Sequence, residues 1–250
     1  MGESRNNKDD FRLPMILMNI KVQFEQAVYG SFPFWQRGYG VLARSPGCRP
    51  EWIAALRTAC QRYGERPSGT IEADGLFAMR PDHGPWMIVG VYPQGCDDQG
   101  RPGALAFHAL FVGRWAYARA GADPFVFSDL LHRDWSRADL DAILPTGRSS
   151  IRRSGFRRSF GPISPVDERF EPIVTAIAQG RRVAVQSAEP IDALARGVWP
   201  ALPMRVRLRA SVATWAFDNA NRFDLVALPK LTAIRRETTD LILAMADPGR

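Results

Sequence analysis

Lysine is nearly missing from this chain: Lys8, Lys21 and Lys230 stand against 30 arginines among the 33 basic residues. Arginine's planar fork suits carboxylate and phosphate recognition, but a GC-rich coding bias gives the same count without function, so composition leaves both explanations open. Cysteine is as sparse. Cys48, Cys60 and Cys96 are odd in number and lack C-x-x-C spacing, which argues against a disulfide framework and a thiolate zinc site and fits a reducing cytoplasm. His83, His108 and His132 are widely separated, with no H-x-x-x-H and no H-x-E followed by paired cysteines. A metal site would have to be assembled wholly by the fold. There is no G-x-x-x-x-G-K-[ST], so nucleotide hydrolysis by a P-loop is not expected; Gly180-Arg181-Arg182 follows a helical pattern instead of opening one. Long apolar runs are absent too. Leu13 to Ile20 is too short to span a bilayer and follows Lys8-Asp9-Asp10, unlike a secretory signal. Residues 1–18 therefore read as a disordered leader, with Met15 or Met18 as alternative starts, and no transmembrane segment is expected.

What is present suffices for a sizeable core. With 250 residues and 46% hydrophobic composition, the chain can form one large domain or two modest ones. A net charge of +7 and a pI near 9.8 favour acidic partners: nucleic acid, anionic membrane or an acidic protein face.

Val22, Phe24, Gln26 and Val28 alternate with Gln23, Glu25, Ala27 and Tyr29, the period of a strand with one buried face. Gly30, Ser31 and Pro33 break it, and Tyr39, Val41 and Ala43 resume alternation after Gly38, so a hairpin with an aromatic turn is predicted. Arg49-Pro50-Glu51 opens a helix whose stripe is Trp52, Leu56, Cys60 and Tyr63 and which Gly64 ends. A second hairpin joins residues 76–79 to 87–92, residues 94–103 form a long exposed loop, and Ala104 to Val112 is a central strand holding His108. These elements predict an α+β fold: an antiparallel-strand-rich N-terminal domain over 19–145 with flanking helices. A smaller α+β domain over 163–230 follows, then a C-terminal helix and tail over 231–250. In the smaller unit, Arg207 and Arg209 alternate with Val206, Leu208 and Ala210 as in a half-exposed strand. Residues 146–162 read as a flexible linker. No acid lies between Asp141 and Asp167, and Arg148, Arg152, Arg153, Arg157 and Arg158 are interleaved there with serine, Phe156 and Phe160. Its guanidinium groups suit a phosphate backbone or an acidic protein face; a bare solvated connection is the other reading.

Candidate catalytic groups are few. Cys96 or Cys48 with His108 or His83 would make a nucleophile pair, and buried inert thiols are the plainer account. Asp97-Asp98 with Asp74 or Asp82 would bind a divalent cation, and a solvated turn is the plainer account. No cofactor is expected.

Gln26, Tyr29, Gly30, Gly38, Tyr39, Leu42, Ala43 and the Ser45-Pro46-Gly47 triplet resemble the bacterial GTPase-associated protein family in its type-two N-terminal domain. Arg101-Pro102-Gly103 and Phe107-His108-Ala109 extend the likeness. Leu202-Pro203, Arg205, Ser211 to Thr214 and Phe223 to Leu228 resemble the family's middle domain. Members often continue into a further C-terminal region, and activities that depend on it are not expected here. The resemblance implies an accessory protein encoded with a small GTPase in bacterial multi-component systems, of conflict, defence or membrane-associated type. The leading expectation is a non-enzymatic adaptor contacting a GTPase or its assembly through the arginine-rich segment and through strands around Tyr29 and Arg44. The alternatives are a hydrolase or transferase centred on Cys96, Asp97, Asp98 and His108, and a nucleic-acid-binding module using the linker.

Overall fold

β1 (Asn19–Gly30) organises the N-terminal half of the computed structural model, which describes residues 19–35, 38–82, 84–152, 168–230 and 239–244. One edge of β1 pairs antiparallel with β5 (Pro102–Val112). Its other edge takes two strands in succession, β2 (Gly40–Arg44) along residues 27–30 and β6 (Gly147–Arg152) along residues 19–24. The register requires this arrangement. Phe24 is paired with both Val112 and Gly147, and Ala27 with both Ala109 and Arg44, and a strand residue has one neighbour on each side. β4 (Trp86–Cys96) continues the sheet beyond β5, and β3 (Gly75–Met79) lies beyond β4, all antiparallel.

The remaining strands join the same sheet. β8 (Val212–Ala213) pairs antiparallel with β3, and β9 (Leu225–Leu228), β7 (Val183–Gln186) and β10 (Leu241–Ala244) follow in that order, parallel to one another. The fold is α+β, with a ten-stranded mixed sheet. It runs unbroken through the two regions that the sequence divides at 146–162. Thr214 stitches the seam, its amide donating to the Leu76 carbonyl while its hydroxyl accepts from the Leu76 amide at 3.0 Å.

Helices cover both faces. α1 (Pro50–Gln61) sets Ile53, Leu56, Ala59 and Cys60 on the sheet; Trp52 reaches Phe111, and Tyr63, just past the helix, meets Phe77 and Phe107. The opposite face carries α2 (Arg114–Arg119), a 3-10 turn (Pro124–Leu130) and α3 (Arg137–Asp141). There Tyr117 stacks on Trp86, with ring centroids 4.2 Å apart. α4 (Phe170–Ala178) packs on α5 (Asp192–Ala201), and α6 (Met204–Arg207) follows.

Several expectations need correction. The arginine-rich segment begins as β6, because Ile20 and Val22 give it an edge to pair with and Ile151 a core to enter; residues 153–167 lie outside the described residues. β1 is half-exposed only over its first half, and from Ala27 to Gly30 every residue is buried because both faces are covered. The long loop shrinks to residues 97–101, since β4 and β5 extend to Cys96 and Pro102. Arg207 ends the short helix α6 and the strand there is only Val212–Ala213, because Pro203 accepts from the amides of Val206 and Arg207 and starts a helical turn. The described part of the C-terminal region is strand β10. Its aliphatic run extends the parallel ladder, and Asp240 anchors it by accepting from the Arg182 amide at 2.7 Å.

Candidate functional site

Where β2 ends and β6 begins along β1, the strand presents Glu25 and Gln26 to a gap in the ladder. Ser45 fills it from one side. Its hydroxyl accepts from the Gln26 amide at 2.8 Å and donates to Glu25 Oε2 at 2.6 Å, while its own amide donates to the Gln26 carbonyl. Thr146 reaches the same carboxylate from the other side, with Oγ1 3.2 Å from each oxygen, and the Gly47 amide donates to Oε2 at 3.2 Å. A Cβ on Gly47 would stand 2.4 Å from Glu25 Cδ, so the triplet needs glycine for the carboxylate to approach. Cys48 closes the turn with its thiol donating to the Gln26 carbonyl at 3.3 Å. Burial pushes that thiol's pKa up, which leaves it a poor nucleophile.

The side chain of Gln26 continues the network inward. Its Nε2 donates to the Pro145 carbonyl at 2.8 Å, and its Oε1 lies 3.0 Å from His108 Nε2. The His132 backbone amide donates to His108 Nδ1 at 2.8 Å. A backbone N–H can only donate, so Nδ1 is the bare nitrogen, Nε2 carries the proton, and Gln26 Oε1 accepts it. His108 is 1% exposed. Burial first, and the nearby His132 second, lower its pKa to about 3. Trp135 packs edge-on against it with centroids 4.9 Å apart. Gln26 and His108 thus form a polar bridge on one face of the sheet, between the cluster of Phe24, Leu110 and Val112 and that of Val28, Ala106, Leu140 and Leu144.

The residues singled out by sequence therefore meet in part. Gln26, Ser45, Pro46, Gly47 and His108 belong to one junction, whereas Tyr29 and Gly30 lie at the far end of β1. Gly30 is there for close approach: a Cβ would come within 3.3 Å of Ala106 Cα and the Leu105 carbonyl. Tyr29, expected to contact a partner, is only 3% exposed and packs on Phe107. Sequence reading missed Glu25 and Thr146; an acid on the strand opposite Ser-x-Gly was the available signal for the first, and nothing marked the second.

The other candidates are drawn into turns. Asp97 is 4% exposed and accepts from the amides of Gln99 and Arg101 and from Arg101 Nε, at 2.7 to 2.9 Å. Burial works against its charge, but these donors outweigh it and hold the carboxyl below its usual range. Asp98 accepts from the Ser31 hydroxyl at 2.8 Å and the Gly38 amide at 2.7 Å. Cys96 is exposed and pairs with Pro102, whereas His108 pairs with Gly90, which separates thiol and imidazole by about 20 Å along the ladder. No nucleophile pair forms from them. His83 lies outside the described residues. Among the described residues no group of three or more His, Cys, Asp or Glu is placed to hold a metal ion, and no helix is long and apolar enough to cross a membrane.

Arg44 ends β2 and Arg148 sits in β6, both exposed. Among the described residues neither strand pairs with a further one. Arg152 ends β6, and Arg153, Arg157 and Arg158 lie outside the described residues. No protein-family model matches the chain, nor does any curated protein or solved structure.

Proposed function

We propose that the chain is a non-enzymatic accessory protein of the bacterial cytoplasm, an adaptor that binds a small GTPase or its multi-component conflict-type assembly. The observation that supports this reading is a division of labour. His108, Asp97 and Asp98 are each satisfied by hydrogen bonds within the fold, while Arg44 and Arg148 stand exposed on a double edge formed by β2 and β6. Such an edge offers backbone donors and acceptors to an added strand, and its guanidinium groups suit a partner's carboxylates. The partner's identity as a GTPase rests on the family resemblance alone.

The test is capture from native cells with tagged wild-type chain and with an Arg44→Gln/Arg148→Gln double variant. Enrichment of a small GTPase by wild type, lost in the variant, supports the adaptor. Exposed charges contribute only about 0–1 kcal/mol to folding, so the variant's melting temperature should barely move. Enrichment of ribonucleoprotein instead, with log affinity falling linearly in log salt, favours the nucleic-acid reading. GTP hydrolysis by the purified chain alone would overturn the non-enzymatic reading.

A further inference from the structure

α2 leaves its second residue outside the fold. Tyr117 is wholly buried and stacked on Trp86, which fixes the side of the helix that faces the sheet. A residue two positions away is turned by about 200°, so Trp115 points outward and is 83% exposed. The other six tryptophans are buried or half-buried. An indole held in water forgoes the burial that this side chain normally obtains, and nothing in the packing of α2 requires one there.

The surface around it is basic. Arg119 lies four residues on and shares the outward face, and Arg114 immediately precedes Trp115. Both are exposed, and among the described residues neither has an ion-pair partner. The β3–β4 turn stands alongside, because Val112 at the end of β5 pairs with Trp86 at the start of β4. That turn adds Arg80, exposed, with its Nε donating to the Gly84 carbonyl at 3.0 Å, and one exposed acid, Asp82. Three cations thus stand against one carboxylate. Among the described residues no other exposed large apolar side chain belongs to α2 or to this turn. A protein hot spot sets its aromatic within a patch depleted of charge, and a single-strand channel lines up several aromatics along a groove. A lone indole standing proud among guanidinium groups suits instead the boundary of an anionic bilayer, where the ring lies at headgroup level and the cations meet lipid phosphates.

We propose that α2 docks this protein on an anionic lipid surface, with Trp115 entering the headgroup layer and Arg114, Arg119 and Arg80 contacting lipid phosphates. The surface shares no residue with the β2–β6 edge and does not rest on the adaptor reading. The test is co-sedimentation of the full chain with vesicles of equal parts phosphatidylcholine and phosphatidylglycerol, with vesicles of phosphatidylcholine alone, and titration with a single-stranded DNA oligonucleotide. Binding to the anionic vesicles is expected to exceed that to the neutral ones by about tenfold or more, and Arg114→Gln/Arg119→Gln to weaken it about tenfold or more. Trp115→Ala should weaken it several-fold, and anionic vesicles carrying brominated acyl chains should quench the emission of wild type more than that of Trp115→Ala. Both variants alter exposed side chains only, so their melting curves should match wild type. Equal binding to neutral vesicles, wild-type affinity in either variant, equal quenching of wild type and Trp115→Ala, or Trp115-dependent binding of the oligonucleotide without the vesicles would each overturn the assignment.

Discussion

Replacing His108 with alanine removes the acceptor of the His132 amide and the donor to Gln26 Oε1 at once. With the cavity added, a loss of about 3–5 kcal/mol is expected, read from the denaturant midpoint. The imidazole also sets a pH dependence. Its folded pKa of about 3 lies below the ordinary 6.5, so as pH falls the unfolded chain takes up a proton that the folded chain refuses. The stability it contributes is complete above pH 6.5 and is lost on descending toward 3, by about 1.4 kcal/mol per unit. His108→Gln should flatten the stability profile by one proton in that window, and an unchanged slope would contradict a neutral buried imidazole. Gly47 allows a sharper residue-scale check. Gly47→Ala drives its methyl into the Glu25 carboxylate, which must leave Ser45 and Thr146, at an expected cost of about 1–3 kcal/mol. In a Glu25→Ala background most of that cost should vanish, so the double-mutant cycle should show strong coupling; additive losses would mean that the glycine serves its own backbone instead.

At the scale of elements, β6 depends on a contact that its sequence does not advertise. A Cβ on Gly147 would overlap the ring of Phe24, which lies across the glycine from the paired strand. Gly147→Ala should therefore displace the ring and lower stability by about 1–3 kcal/mol, and faster amide exchange confined to residues 19–24 and 147–152 would locate the damage in this ladder. The same element shows why part of the fold was legible and part was not. The hairpin, α1 and the strand through His108 were readable because their apolar period or their Pro and Gly punctuation is local. β6 was hidden because arginine, serine and glycine carry little strand preference, and it is a strand only because β1 offers a free edge. β10 failed in the same way, its four aliphatic residues being too few to separate helix from strand. At the junction, Gln26, Ser45, Gly47 and His108 were each singled out in the sequence as separate positions. That they converge, and that Glu25 binds three of its neighbours, depends on the end-to-end placement of β2 and β6, which no local pattern encodes.

For the whole molecule, the ten-stranded sheet makes the two halves of the chain mutually dependent. β3 is central only because β8 covers its outer edge, and the parallel strands beyond are attached through that pairing. The order of events during synthesis follows. β3 ends at Met79 and its partner begins at Val212, so at ribosomal speeds Leu76, Phe77 and Ala78 wait on the order of ten seconds with one strand edge uncapped. An apolar edge held open that long recruits other chains or a chaperone. The yield of correctly assembled protein is thus tied to the pace of translation between those two strands, quite apart from the stability of the finished sheet.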